Sequence, residues 1–216
     1  RGATLNLDAV DTLADYLSHL HHGFRGQSAH HPLPNREMRA LNHAHIFEIP
    51  LQTNNGLALD ELLPGLEAAA KRLRSDLDYV STVRRLGTEV YLADGDTLVH
   101  GDFFPGSFLE TPDGPKVIDP EFACFGRSEV DGGMFLAHLL LGGQPPAIAA
   151  RFLERYRPPT GHDAEVMLQL AGVEVMRRLI GYAQLPLTRG LEERHSLLSR
   201  SRELVLHPSL DLILSL

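Results

Sequence analysis

The residues best suited to chemistry sit in the middle of the chain. They are His100-Gly101-Asp102-Phe103-Phe104-Pro105-Gly106-Ser107, then Asp119-Pro120-Glu121-Phe122. Asp102 and Ser107 are five residues apart around a Pro-Gly turn, and Asp119 follows Asp102 by 17 residues, with Glu121 two further on. Phosphoryl transfer needs such a set, because its transition state spreads charge over oxygens and asks the protein mainly for positioning and neutralisation. One carboxylate must orient the attacking hydroxyl and accept its proton, a role that suits Asp102. Hard oxygens must hold Mg²⁺, which keeps several waters and takes few protein ligands; Asp119 and Glu121 fit, with the Ser107 hydroxyl beside them. Each piece alone has a plainer reading, since Asp is common beside Gly or Pro in turns and Ser can cap its own turn. Together, with an apolar run leading into each acidic group, they form a candidate functional site.

Positioning these groups requires a strand–loop–strand hairpin. Thr97–His100, Ser107–Glu110 and Lys116–Asp119 are short apolar or alternating runs, and Pro112-Asp113-Gly114 is a turn between the last two. Helical periodicity dominates elsewhere. The pattern predicts a first helix capped by Asn6 or Asp8 and running to about His22, and a His-, Gly- and Pro-rich loop to Pro34. It predicts a short helix over 35–47 ended by Pro50, and one long amphipathic helix from Pro64 to Leu92. Further helices are expected at about 133–141, 146–157, 162–184, 190–204 and 208–215. The expected fold class is α+β and mostly helical, with a small β-hairpin carrying the acidic cluster.

Composition narrows the function classes. The chain has 216 residues, a net charge of −8 and 43% apolar residues, which suits a globular domain. The acidic balance argues against a nucleic-acid partner, and no apolar run is long enough to span a membrane. One cysteine, Cys124, excludes an internal disulfide and any multi-cysteine metal site, and fits a reducing, cytoplasmic setting. Its apolar neighbours point to a buried, inert thiol. Seven of the twelve histidines fall within the first 45 residues. His19 and His22 have the spacing of a metal pair, but no H-E-x-x-H accompanies them, and a solvated loop is the better reading. No G-x-S-x-G is present, which weakens a hydrolase reading. The apolar C-terminal stretch from Val205 suits a packing helix or an oligomer contact.

Three stretches carry a family likeness. They are Leu98-Val99-His100-Gly101-Asp102 with Gly106-Ser107, Lys116-Val117-Ile118-Asp119-Pro120-Glu121-Phe122-Ala123, and Gly172-Val173-Glu174-Val175-Met176-Arg177-Arg178-Leu179-Ile180-Gly181. They resemble the aminoglycoside phosphotransferase and choline kinase superfamily, which has the protein kinase-like fold, and within it most of all the methylthioribose kinases. The likeness runs through about residues 35–205, with Asn35–Asn54 the weaker part. It implies that Asp102 is the general base, that Asp119 and Glu121 ligate Mg²⁺ with Ser107 assisting, and that Arg177 and Arg178 contact a small hydroxylated substrate. It implies ATP as phosphoryl donor and makes a homodimer plausible. The plain alternative for the arginines is a solvated helix face. Under that alternative the apolar stripe Val173, Met176 and Ile180 would leave one arginine pointing away from the cleft. Asp131 is expected to cap the next helix and to brace the catalytic turn.

Two departures stand out. Methylthioribose kinases usually have His two residues after the catalytic Asp, where this chain has Phe104. A kinase of this fold also needs an N-terminal lobe with a phosphate-covering loop and a Lys. No such Gly-rich loop is present, and Lys71 and Lys116 both lie in the wrong elements. The chain opens at Arg1, close to the start of a helical pattern. The expectation is therefore that residues 1–216 form the C-terminal lobe, inactive alone, and that the nucleotide-binding lobe lies outside the chain. The competing reading is a pseudokinase or small-molecule-binding regulator on the same fold.

Overall fold

The computed structural model describes residues 5–30, 32–185 and 187–215. Arg1 and His31, which entered the reading above, lie outside them. Helix α1 (Leu7–Gly23) starts where Asn6 accepts the Ala9 amide at 2.7 Å. Its Val10, Leu13, Ala14 and Leu17 are buried, and His21 continues that stripe into the interior. Helix α2 (Arg36–His43) runs on through a π turn over Ala44–Glu48 and a 3₁₀ turn over Ile49–Leu51. Pro50 sits inside that last turn rather than ending the helix before it.

A short helix, α3 (Leu59–Leu62), precedes Pro64. The expected long helix from Pro64 to Leu92 is two pieces, α4 (Leu66–Arg74) and α5 (Leu77–Arg85), the second extended by a π turn over Leu86–Tyr91. Gly65, with φ +93°, separates α3 from α4, and Asp76 breaks the expected helix by capping α5, accepting the Tyr79 amide at 3.1 Å. Arg202 then pins Asp76 at 2.6 Å. A good N-cap outcompetes continued helix where a side-chain oxygen can replace the lost backbone partner.

Two small antiparallel pairs follow. Strand β1 (Thr97–Val99) pairs with β4 (Cys124–Gly126), and β2 (Phe108–Leu109) pairs with β3 (Lys116–Val117). The β2–β3 hairpin is shorter than the expected runs Ser107–Glu110 and Lys116–Asp119, with Asp102, Asp119 and Glu121 outside its strands, and β4 gave no alternating signal. Helix α6 (Glu129–Gly142) begins earlier than expected and holds Gly132 and Gly133 inside it. A Cβ on Gly133 would lie 2.8 Å from the Met167 carbonyl, so this glycine lets α6 approach α8 closely. Helices α7 (Pro146–Arg155), α8 (Ala164–Ile180), α9 (Leu191–Leu206) and α10 (Asp211–Leu214) complete the chain.

The core lies between α6 and α8 and between α8 and α9, and α8 is buried on nearly every side from Met167 to Ile180. Such an all-round buried helix is a rigid support for whatever projects from its end. No helix among the described residues is long and apolar enough to cross a membrane.

Candidate active site

The loop after β1 is fixed by its backbone. Asp131, fully buried at the start of α6, accepts the His100 amide at 2.8 Å on one oxygen and the Gly101 amide at 2.9 Å on the other. His21 reaches the first of those oxygens at 3.0 Å and meets the Tyr156 hydroxyl at 2.7 Å through its other nitrogen. Burial alone would raise the Asp131 carboxyl. The hydrogen bond and charge of His21, with the backbone amide, outweigh it and hold the group below the usual range. Gly101 adopts φ +82°, and a Cβ there would lie 2.5 Å from the Phe122 carbonyl oxygen. The turn therefore needs glycine both for its dihedral and for its contact with the following acidic turn.

His100 joins the two halves of the site. Its Nδ1 accepts the Asp102 amide at 3.3 Å, which leaves Nε2 to donate to the Ile118 carbonyl at 2.9 Å. Ser107 closes the loop, donating its hydroxyl to the Asp102 carbonyl at 2.8 Å, while its own carbonyl accepts the Ile118 amide at 2.9 Å. These bonds set Asp119 directly after the hairpin.

The Asp102 carboxylate faces the C-terminal turns of α8. Arg177 Nη2 and Arg178 Nη2 each lie 3.5 Å from the same oxygen, Oδ1. Neither arginine belongs to a solvated face: their side chains are 4% and 6% exposed, against 17% for Asp102. The alternative in which one turns away is not what the structure has, and the cause is Glu174. This buried carboxylate stands three and four residues before them on α8. It accepts from Arg178 Nε at 2.6 Å and lies 3.0 Å from Arg177 Nε, the latter without hydrogen-bond alignment. One anion at that spacing draws both guanidinium groups to one side of the helix.

The surrounding residues complete the arrangement. Asn42, from α2, accepts from Arg177 at 3.0 Å and donates to the Tyr91 hydroxyl at 3.0 Å and the Gly101 carbonyl at 3.3 Å. His138, from α6, lies 3.1 Å from Glu174. Burial raises the Asp102 carboxyl above its ordinary range, with the Arg177 charge opposing that. Burial would raise Glu174 too, but Arg177, Arg178 and His138 hold it well down. Burial lowers His138, so its imidazole is neutral.

Asp119 and Glu121 are placed differently. Both are exposed, and neither carboxylate has a partner among the described residues. Asp119 holds a left-handed φ of +64°. Asn35, itself left-handed at the start of α2, donates to the Glu121 and Ala123 carbonyls at 2.7 and 3.0 Å and so ties down their backbone. Among the described residues no three His, Cys, Asp or Glu side chains form a metal-holding group, which also leaves His19 and His22 without a third ligand. Cys124 is buried in β4, and its thiol is pushed up to about 11 by burial.

Sequence reasoning gave no role to Glu174, Asn42, His138, His21 or Asn35. The Glu-x-x-Arg-Arg spacing was a readable signal for Glu174. The others depend on contacts between distant segments.

A family model described as "Phosphotransferase enzyme family" matches residues 4–168. The chain is 30% identical to a methylthioribose kinase of Geobacillus kaustophilus over 203 residues, covering 78% of this chain and 50% of that protein. It is 40% identical to the methylthioribose kinase of Exiguobacterium sibiricum over 81 residues, 38% of this chain and 21% of that protein. Methylthioribose kinase 1 of Oryza sativa is 37% identical over 78 residues, 36% of this chain and 18% of that protein. The chain spans about half the length of its longer-matching relative, or less of the others.

Proposed function

The chain belongs to the phosphotransferase enzyme family, and from that premise we propose that it is the C-terminal lobe of a protein kinase-like enzyme that phosphorylates a hydroxyl of methylthioribose. The nucleotide-binding lobe would lie outside residues 1–216. The observation that carries this reading is the Asp102 carboxylate with two arginines on one of its oxygens.

In this reading Asp102 is the general base. Its Oδ1 is engaged by the arginines, and no hydrogen bond reaches Oδ2 among the described residues. Oδ2 is thus the atom that accepts the proton of the attacking hydroxyl. Arg177 and Arg178 oppose the rise that burial imposes on the Asp102 carboxyl and turn their remaining N–H groups to sugar oxygens. Asp102 and Glu174 together offset the charge of the two arginines. A neutral acceptor is therefore favoured over a cationic one such as choline or an aminoglycoside.

The acidic turn fits Mg²⁺. Asp119 and Glu121 are exposed carboxylates without a partner among the described residues, and Mg²⁺ takes one or two carboxylates plus phosphate rather than a full protein cage; the Ser107 hydroxyl, which donates to the Asp102 carbonyl, would assist them. Asp119 and Glu121 would hold the ion, which would supply positive charge against the phosphate oxygens of ATP. The buried free thiol suits a reducing, cytoplasmic compartment.

The test is phosphoryl transfer by the full-length protein from ATP to methylthioribose, with ribose, choline and an aminoglycoside alongside, with and without Mg²⁺. Mg²⁺-dependent transfer to methylthioribose is the expected result. Transfer only to another alcohol would discard the substrate and keep the mechanism. Nucleotide binding without any transfer would move the assignment to a pseudokinase.

A further inference from the structure

Arg177 and Arg178 are held in different ways. Arg177 is bounded along its edges by Asn42, Glu174 and Asp102. Arg178 has Glu174, Asp102 and the Ala183 carbonyl at its edges, and in addition an aromatic ring on its face. The centre of the Phe104 ring lies 4.3 Å from the Arg178 Cζ. That ring is itself held, since it lies 5.0 Å from the His138 ring, and His138 reaches Glu174 behind it. Gly106 makes the room: a Cβ there would come 2.3 Å from Phe104 Cζ. The Ser107 amide donates to the Phe104 carbonyl at 2.8 Å and fixes the backbone beneath the ring.

We infer that Phe104 is a positioning and specificity-determining residue that acts through Arg178, a role that rests on the proposed acceptor site beside Asp102. The ring excludes water from one face of the guanidinium and fixes its plane by cation–π attraction. Arg178 can then meet an acceptor only through its N–H edge, on the side of Asp102. A phenyl ring offers the acceptor no hydrogen bond, so sugar oxygens on that side of the site must be satisfied by Arg178. An acceptor that lacks an oxygen there leaves a buried donor unpaired and is discriminated against.

The test uses the full chain and two variants, Phe104→Leu and Phe104→Tyr. Leu keeps apolar bulk but removes the π face, and Tyr keeps the ring. Two readouts are taken: the guanidinium NMR signals of Arg178, and methylthioribose binding by calorimetry. In the wild type the Arg178 Nη signals are expected to be separate, as for a guanidinium that does not rotate freely. In Phe104→Leu they should average, with methylthioribose bound roughly threefold to thirtyfold more weakly, and Phe104→Tyr should restore both. Amide spectra confirm that each variant is folded. Arg178 signals unchanged in Phe104→Leu would overturn the positioning role. Averaged signals with undiminished binding would overturn the specificity role. A wild-type chain that binds no methylthioribose, while Arg178 still responds to loss of the ring, would instead overturn the assigned acceptor.

Discussion

The two acidic centres of the site are built on opposite plans. Asp102 is mostly buried, and almost every group around it is fixed by another: Arg177 and Arg178 by Glu174, Glu174 by His138, and the turn that carries Asp102 by Asp131. Asp119 and Glu121 have their backbone held by Asn35 and by the His100–Ile118 bond, while their carboxylates face solvent. A general base must be aimed before the substrate arrives, because misplacement directly weakens proton transfer. Carboxylates destined for a hydrated divalent ion need only be kept apart from competing cations, since the ion and its phosphates complete the geometry. The difference separates what the fold organises from what a ligand would organise.

The largest expected effect falls on the first centre. Asp102→Asn should lower transfer by the full-length protein about 10²- to 10⁴-fold, the usual contribution of a general base. Its melting temperature at pH 7 should not fall, because the change removes a carboxylate whose burial disfavours charge. Transfer rates and thermal melts on the same preparations check both parts. Retained turnover would remove Asp102 from the base role.

Next comes the support behind it. Glu174→Ala strips the shared anion from two arginines that are almost fully buried and leaves His138 without its partner. Breaking a buried ion pair from one side typically costs about 3–5 kcal/mol, and denaturant unfolding should show a loss of that order. A loss below about 1 kcal/mol would mean that the arginines find water readily and that the first centre is not pre-built.

These variants also mark how far the sequence could be read. Asp102, Ser107, Asp119 and Glu121 could be proposed together because short-range spacing around a hairpin turn puts them in one stretch of sequence. The helical class was legible for the same reason, since it depends on local periodicity. The break at Asp76 was hidden because capping overrode a continuous amphipathic stripe, and Arg202 secures that cap from a distant helix. Strand β4 was hidden because Cys124-Phe125-Gly126 has no alternation and is defined only by pairing with β1. Asn42 and His21 read as ordinary polar residues of helices. Their roles come from the Gly101 carbonyl and from Asp131, 59 and 110 residues away.

The smallest effect should come from the second centre, and it sharpens the contrast most. The double variant Asp119→Asn, Glu121→Gln removes two exposed carboxylates that have no partner among the described residues, so stability should change by no more than about 0.5 kcal/mol. Asn at position 119 also tolerates the left-handed dihedral that Asp holds there. The pH dependence provides a second, independent check. The Asp102 carboxyl is raised in the folded protein, so its ionisation opposes folding: the penalty is absent below the unfolded carboxylate range and complete above the raised folded value. Wild type and Asp102→Asn should therefore converge in stability toward acid pH and separate as pH rises through the raised value. If the double variant instead melted as early as Glu174→Ala, Asp119 and Glu121 would be structural anions, and their proposed place at the metal would lose its support.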